Sequence, residues 1–362
     1  MERVRLTALQ ERLKEQGLAA ALVTRPVQIG YLIGRTINPH ERFFALLVPA
    51  SGEAALFVPA LETAQFGGLG IPSVPVRDQD SICDVLAGKI PSGRIGVEHD
   101  HISLGWAHGV AHAAGGEVSA LVDVAPQLIA LRAAKDAQEA AALREAARRL
   151  DAATAYAKTL IRTGITERQM AAEIERHMRE ELGGEPGFDS IVLFGERSAL
   201  PHGVPTDRAL SPGEVVLVDI GLRWDGYIAD TTRTFFYGEP DAELRKIYAI
   251  VQKAQERGRA AVRPGAAMGA LDAAAREVIA GQGYGEYFPH RVGHGLGMET
   301  HEEPFLLPGR TDALVPGMCL TIEPGIYLPG RGGVRIEDDL LVTDAGAETL
   351  TSYPRDLEVV KP

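Results

Sequence analysis

Two stretches of this 362-residue chain carry the same pattern 104 positions apart. The later stretch, VPGMCLTIEPG at 315–325, aligns without a gap on residues 211–221 and matches Glu323 to Asp219. Upstream, an Arg-x-Gly triplet lies between two helix-like segments in each half, at a similar offset of 101. Repetition of this kind predicts an internal duplication of a helix, helix, hairpin unit. Because both copies must fold alike, the duplication limits the fold more than any single motif does.

The first copy predicts a β-hairpin that carries two acidic residues. Residues 215–222 and 227–235 are rich in β-branched and aromatic side chains, and the Trp-Asp-Gly between them is a turn signal. Folding about this turn brings Asp219 and Asp230 opposite each other or one step apart, with Cβ atoms roughly 5–8 Å apart. Either one carboxyl is then protonated or a cation lies between them, unless both simply cap turns or helices.

The second copy doubles the number of acidic residues. DGYIADTT aligns on GGVRIEDD when the second turn is three residues longer, which matches Glu337 to Asp230. Asp219, Asp230, Glu323 and Glu337 therefore occupy equivalent places on two hairpins. Protonation cannot neutralise four converging carboxylates near pH 7, whereas one or two divalent ions would do so.

Charge and composition exclude several classes of protein. A net charge of −12 and a pI near 5.4 argue against nucleic-acid and anionic-membrane partners, which would need a basic face. The segment MERVRLTALQERLKEQ has charges where a signal peptide needs its apolar core, so we expect a cytoplasmic protein. Two cysteines are too few for a disulfide framework, and Cys319 lies in a strand-like run that predicts a buried thiol.

The pattern along the chain predicts two domains. Residues 1–125 alternate helical and strand-like segments, which is typical of a small α/β layer fold, and residues 126–362 contain both copies of the repeat. Residues 131–160 predict one long amphipathic helix or two in succession, and Thr166 with Gln169 predicts a capping box that opens another helix. Four histidines between residues 99 and 112 have no obvious carboxylate partner, so we expect them to be structural or solvated.

His294 is the histidine best placed to join the acids. It lies in GHGLG at 293–297, where glycines allow close approach of other groups. The spacing fits no phosphate-binding loop, and Phe305 with Pro304 excludes the HExxH helix of a thermolysin-like zinc site beginning at His301. One imidazole among four carboxylates suits Mn²⁺, Co²⁺, Zn²⁺ or Fe²⁺ better than Ca²⁺.

These residues resemble those of a known family. Their order along the chain and the motifs around them are similar to those of the pita-bread metallopeptidases. The five residues are Asp219, Asp230, His294, Glu323 and Glu337. The motifs are PHG at 201–203, GHGLGMETHEEP at 293–304, TIEPGIY at 321–327 and GVRIEDDLLV at 333–342. The likeness is strongest to the proline-specific branch, the Xaa-Pro dipeptidases (prolidases) and aminopeptidases P. Residues 17–34 resemble that branch's creatinase-like N-terminal domain. The resemblance implies an α+β fold in which a pseudo-twofold pita-bread domain, an antiparallel sheet covered by helices, follows a smaller creatinase-like α/β domain.

The resemblance also assigns roles to the site residues. Asp219 would chelate one of two divalent ions, Asp230 and Glu337 would bridge both, and His294 with Glu323 would complete the shell of the other. A hydroxide bridging the ions would attack the peptide carbonyl, with Glu323 as general base. His202 and His301 would steady the oxyanion and help proton transfer to the leaving nitrogen, and Arg335 would orient neighbouring acids. Tyr327 would lie close by. From its position ahead of His202, Phe188 is expected to form a wall of the proline pocket. Arg310, between His301 and Glu323, is expected to bind the substrate carboxylate, unless it is a solvated loop arginine.

The expected function is therefore dinuclear metal-dependent hydrolysis of Xaa-Pro dipeptides, with Mn²⁺ ahead of Co²⁺ or Zn²⁺ as the metal. An aminopeptidase P acting on longer Xaa-Pro peptides is the alternative, and a metal-free pita-bread binding module is a remote one. The expected partners are short proline-containing peptides and a second copy of the chain in a homodimer, with no nucleic acid and no membrane.

Overall fold

A computed structural model describes residues 2–362, which divide into two compact units, one up to Arg132 and one from Ala133 to Pro362. The division falls near the end of a helix rather than at residue 125, where the sequence pattern placed the boundary. Within residues 2–362, no helix combines the length and the apolar character that crossing a membrane requires.

The first unit is the predicted small α/β layer fold. Its elements are α1 (Glu2–Glu15), β1 (Ala20–Val23), α2 (Pro26–Ile33), β2 (Ala45–Pro49), β3 (Ala55–Pro59), β4 (Ser73–Val76), α3 (Ile82–Leu86), β5 (Ile95–Val97), α4 (Leu104–Ala113), β6 (Val122–Asp123) and α5 (Ala125–Ala133). The strands form one mixed sheet in the order β4-β3-β2-β1-β5-β6. Two of the four histidines between residues 99 and 112, His108 and His112, lie on α4 and are exposed, as expected of solvated residues.

The second unit contains two helix pairs and the strands that carry the acidic residues. Its elements are α6 (Ala137–Thr159), α7 (Glu167–Glu180), β7 (Glu185–Pro186), β8 (Ile191–Phe194), β9 (Glu214–Trp224), β10 (Tyr227–Tyr237), α8 (Ala242–Ala261), α9 (Met268–Gly281), β11 (His294–Gly295), β12 (Glu302–Phe305), β13 (Cys319–Ile322), β14 (Gly325–Leu328), β15 (Gly332–Arg335), β16 (Asp338–Thr343), β17 (Gly346–Thr349) and β18 (Glu358–Val360). Of the two predictions for residues 131–160, one long helix is the better match, since α6 spans Ala137–Thr159 and only the end of α5 precedes it in this range. Asp136 caps α6 and Thr166 caps α7, each in a capping box.

Each copy of the repeat packs one helix pair on its own strands. Apolar residues of α6 and α7 share a buried core with β8, β9 and β10, and those of α8 and α9 share another with β13 to β16. The sheets run in the orders β18-β10-β9-β7 and β12-β11-β13-β16-β17, with β14 and β15 as a separate pair. The predicted duplicated pita-bread fold, with an antiparallel hairpin under helices in each half, is thus confirmed.

The first hairpin is regular along its whole length. Its strands pair continuously from Tyr227↔Trp224 to Tyr237↔Glu214 around a two-residue turn, Asp225-Gly226, in which both residues have positive φ. Asp219 pairs with Thr232, so Asp230 lies two residues from the position directly opposite. An offset of two keeps both carboxylates on one face, whereas an offset of one would have separated them.

The second hairpin is interrupted where its acidic residues lie. Glu323 and Pro324 separate β13 from β14, and Ile336 and Glu337 separate β15 from β16. Proline has no N–H for a strand ladder and restricts the residue before it, which accounts for the first break. Both glutamates therefore lie at strand ends, free of strand pairing.

Candidate metal centre

A cavity of about 870 Å³ in the second unit collects most of the predicted site residues. Asp219 and Asp230 reach it from β9 and β10, and Glu323 and Glu337 from the two breaks in the second hairpin. The other predicted residues among its lining are Phe188, His202, His294, His301 and Arg335. The four acids are thus brought together as the duplication predicts.

Ligand atoms of three residues lie close enough to hold one cation. One atom each of Asp230, His294 and Glu337 lies within 4.8 Å of the others, and all three residues are buried. Glu323 Oε1 is 3.4 Å from His294 Nε2. Burial, and then the neighbouring His301, lower the pKa of His294 to about 3, so the imidazole is neutral and this contact is not an ion pair. A neutral imidazole that faces a carboxylate fits two ligands of one metal ion.

Buried carboxylate oxygens without partners also fit a metal. Asp219 Oδ1 and Asp230 Oδ1 are inaccessible to solvent and accept no hydrogen bond from residues 2–362. Leaving such buried acceptors without a partner costs free energy, unless a bound ion or water satisfies them. Burial raises the pKa of Asp230 well above its ordinary value, with repulsion from Glu337 and Asp219 adding to the effect. The pKa of Glu337 is likewise raised by burial and by Glu323 and Asp219. A divalent cation would relieve both penalties.

Hydrogen bonds fix the carboxylates that the two hairpins contribute. Thr232 Oγ1, on β10, donates to Glu337 Oε2 at 2.5 Å and accepts from Arg335 Nε at 3.0 Å. Arg335 also donates to Asp219 Oδ2 and, at 2.8 Å, to the Tyr327 hydroxyl. A single threonine thus joins the acid of the second hairpin to the arginine that holds the acid of the first.

Close backbone packing positions His294. A Cβ on Gly293 would lie 2.0 Å from the Thr321 carbonyl oxygen, and one on Gly295 would lie 2.4 Å from the Glu303 carbonyl. These glycines therefore allow β11 to lie between its neighbours, as the sequence predicts. His294 Nδ1 lies 3.0 Å from the Gly295 carbonyl, which can only accept, so Nδ1 carries the proton and Nε2 is left to bind a metal.

The two outer histidines lie at the exposed side of the cavity. His301 has its ring centroid 4.2 Å from that of His294, and both His202 and His301 are exposed. Burial of part of the ring lowers the pKa of His301, and the charge of Arg291 lowers it further. His301 is consequently neutral near pH 7 and able to accept a proton.

The three predicted substrate-binding residues lie in different places. Phe188 lines the cavity and packs so closely on Gly221 that a Cβ there would lie 2.4 Å from the ring. Tyr327 is buried behind the lining, with its hydroxyl 2.8 Å from His290 Nε2. Arg310 is not among the lining residues, because its guanidinium bonds to Glu303 and Asp312, each at 2.7 Å.

Several residues of the site were not predicted. Thr232, Asp339 and Thr321 hold the ligands in place, and Arg291 and His290 line the cavity. Asp339 Oδ2 accepts the backbone N–H of Asp230 at 2.8 Å. The one sequence signal that could have identified these residues is their position, since each lies within four residues of a predicted ligand. Sequence spacing does not tell which neighbours of a ligand point into the site, and this is why they were missed.

Comparison with known proteins places the chain in a family. Residues 141–344 match the model of metallopeptidase family M24, and residues 5–134 match that of the creatinase/prolidase N-terminal domain. An uncharacterized peptidase of Staphylococcus saprophyticus is 38% identical over 357 residues, 97% of this chain and 100% of that protein. A solved Xaa-Pro dipeptidase from Bacillus anthracis has a TM-score of 0.91 at 33% identity, covering 99% of this chain and 100% of that one.

A solved X-Pro aminopeptidase from Thermotoga maritima is also 33% identical, with a TM-score of 0.87 and coverage of 97% of this chain and 98% of that one. Dipeptidases and an aminopeptidase are therefore about equally similar in sequence. Because the family model matches more than half of the chain and its relatives span nearly all of it, this chain belongs to metallopeptidase family M24 and is a metallo-exopeptidase.

Proposed function

We propose that this enzyme hydrolyses the Xaa-Pro bond of dipeptides with two divalent ions, Mn²⁺ first among them. The observation that carries the proposal is the meeting of Asp230, His294 and Glu337 ligand atoms within 4.8 Å in a cavity that also contains the outer histidines. Asp219 and Glu323 supply the further carboxylates that a second ion requires. Divalent ions held by these five residues supply positive charge that polarises the scissile carbonyl and lowers the pKa of a water molecule.

The chain's own residues carry the proton transfers. Glu323 takes the proton of the attacking water on a carboxylate oxygen, as the carbonyl carbon gains a C–O bond and loses its C–N bond. The proton that Glu323 has taken up passes through His301 or His202 to the leaving nitrogen, and an N–H of these histidines stabilises the negative oxygen of the carbonyl. Arg335 keeps Asp219 oriented by the hydrogen bond described above.

Apolar residues of the cavity suit a proline ring. An Xaa-Pro bond has no amide N–H, so the leaving side needs an apolar surface rather than a hydrogen-bonded strand. Phe188, Ile191 and Leu307 supply such a surface in the lining. Phe188 is held in place by its packing on Gly221.

Metal removal and restoration test this proposal. Protein dialysed against a chelator is expected to lose Ala-Pro hydrolysis and to regain it with Mn²⁺, with metal content measured by elemental analysis. Ala-Ala serves as the matched dipeptide without proline. Turnover of Ala-Pro by the metal-free protein, or equal turnover of both dipeptides, would contradict the proposal.

An aminopeptidase acting on longer peptides is the second candidate, favoured by the equal sequence identity to the Thermotoga maritima enzyme. Comparing Ala-Pro with Ala-Pro-Ala separates the two, since a dipeptidase cleaves only the first.

We also propose that the enzyme is a cytoplasmic homodimer. Light scattering on the eluted peak of a sizing column measures its mass.

A further inference from the structure

One arginine that lines the cavity forms no hydrogen bond or ion pair through its side chain with any of residues 2–362. Arg276, Arg291 and Arg335 line it. Arg276 bonds to both oxygens of Asp272 and to two backbone carbonyls, and Arg335 bonds to Asp219, Thr232 and Tyr327. The guanidinium of Arg291 makes no hydrogen bond or ion pair within residues 2–362.

Arg291 is held in a position that leaves its donors available. Its guanidinium carbon lies 4.6 Å from the centroid of the Phe305 ring. Stacking on an aromatic face uses the plane of the guanidinium and leaves its N–H groups free to donate at the edge. The backbone is fixed on both sides, since His290 Nδ1 donates to the Arg291 carbonyl and Glu323 N–H to the Val292 carbonyl, each at 2.8 Å.

The charge of Arg291 acts on the centre of the site. It contributes to the lowered pKa of His294 and His301 and opposes the rise at Glu323. In a dipeptide the free carboxylate lies one residue beyond the scissile carbonyl, a span of roughly 3.3–3.6 Å of chain. A cation that binds this carboxylate must therefore lie beside the ligands, as Arg291 does and as Arg310, outside the lining, does not.

We propose that Arg291, stacked on Phe305, binds the free carboxylate of the substrate and thereby favours dipeptides over longer peptides. This inference rests on the proposed function and names the residue that sets its length preference. An acidic site repels a substrate carboxylate unless a cation faces it. A planar guanidinium with a free edge pairs with such a carboxylate in two parallel hydrogen bonds.

Two substrates and four variants test the proposal. Ala-Pro and its carboxamide Ala-Pro-NH₂ differ only in the charge that Arg291 would bind. We expect Arg291→Met to lower kcat/KM for Ala-Pro roughly 10- to 100-fold, mainly through KM, the scale for loss of a hydrogen bond to a charged group. Cleavage of the carboxamide should fall clearly less than that of Ala-Pro, because that substrate lacks the charge and is affected only through the loss of the Arg291 charge near Glu323 and the histidines. Arg291→Lys should restore part of the preference, since it keeps the charge and loses the fork.

Two further arginines serve as comparisons. Arg310→Met tests the residue that the sequence suggested, and Arg176→Met, on the exposed face of α7, is the matched control. Both are expected to keep the wild-type preference for Ala-Pro over Ala-Pro-NH₂. A selective loss in Arg310→Met, or an equal loss on both substrates in Arg291→Met, would overturn the role given to Arg291.

Binding without turnover separates this inference from the proposed function. A reduced-bond analogue of Ala-Pro, with a methylene in place of the scissile carbonyl, and its carboxamide can be titrated calorimetrically into the Mn²⁺-loaded enzyme. Wild type should bind the carboxylate form more tightly, and Arg291→Met should bind both forms equally. If wild type cleaves neither peptide but shows this difference, the proposed reaction fails and the role of Arg291 stands. If wild type cleaves Ala-Pro and Arg291→Met still binds the carboxylate form more tightly, the proposed reaction stands and the role of Arg291 fails.

Discussion

The two hairpins of the repeat differ in regularity although they descend from one pattern. The first pairs without interruption over eleven residues in each strand, and its acids are members of the ladder. The second is broken at Glu323 and at Glu337, so its acids lie at strand ends and depend on other elements for their orientation. Continuous pairing makes a hairpin rigid, whereas a break allows a side chain to be aimed. The site thus combines acids placed by strand pairing in one half with acids placed by contacts to other elements in the other half.

Removing one acid from each half is the strongest test of this division. Asp230→Asn and Glu337→Gln should each lower Mn²⁺-dependent turnover by at least roughly 10²- to 10³-fold, the scale for loss of one essential electrostatic contact in a catalytic centre. Without metal, both variants should be at least as thermostable as wild type, because burial and mutual repulsion disfavour these charges. Steady-state kinetics and thermal melts measure the two effects. A large loss in only one variant would show that the halves do not share the metals.

Metal binding should stabilise the protein more at pH 8 than at pH 5.5. Burial raises the pKa of Glu323 to about 8, above its unfolded value near 4.5. The folded apo protein therefore holds this proton more tightly than the unfolded chain, and the apo protein loses stability as pH rises from about 4.5 to about 8. Metal replaces the proton, and at 100 times Kd it adds about 2.7 kcal/mol. Melts with and without Mn²⁺ check this, and an equal Mn²⁺ shift at both pH values would contradict it.

The sequence predicted the features that the two hairpins share better than the features in which they differ. The duplication predicted both hairpins and the four acidic ligands, because a repeat aligns residues that must occupy equivalent places, and the glycine-rich stretch at 293–297 pointed to His294. Register in the first hairpin was two residues off the opposed position, a detail set by the Asp225-Gly226 turn. Arg310 lies between His301 and Glu323 in the sequence, yet its guanidinium pairs with Glu303 and Asp312 and is not part of the cavity lining. Pairings made by tertiary contacts have no signature in spacing.

The threonine that connects the halves offers a smaller effect. Thr232→Val removes the hydroxyl that donates to Glu337 and accepts from Arg335. Mn²⁺ affinity should fall roughly 10- to 100-fold, as is usual when a group supporting a metal ligand is lost. Thr159→Val is the control, since its hydroxyl bonds only to a carbonyl of its own helix. Calorimetric titration with Mn²⁺ measures the change, and unchanged affinity would mean that the broken hairpin holds Glu337 without help from the first.

The turns of the two hairpins provide the smallest expected effect. Gly226 and Gly330 have φ of 82° and 72°, and no atom within 4 Å would meet a Cβ at either position. Replacing either by alanine should cost about 1 kcal/mol through backbone strain alone, because the left-handed region disfavours a Cβ. Turnover should be unchanged, since both turns lie outside the cavity lining. Denaturant unfolding measures the cost. Equal costs would mean that both hairpins fold with the rest of the unit, whereas a smaller cost at Gly330 would show that the breaks let the second turn relax independently.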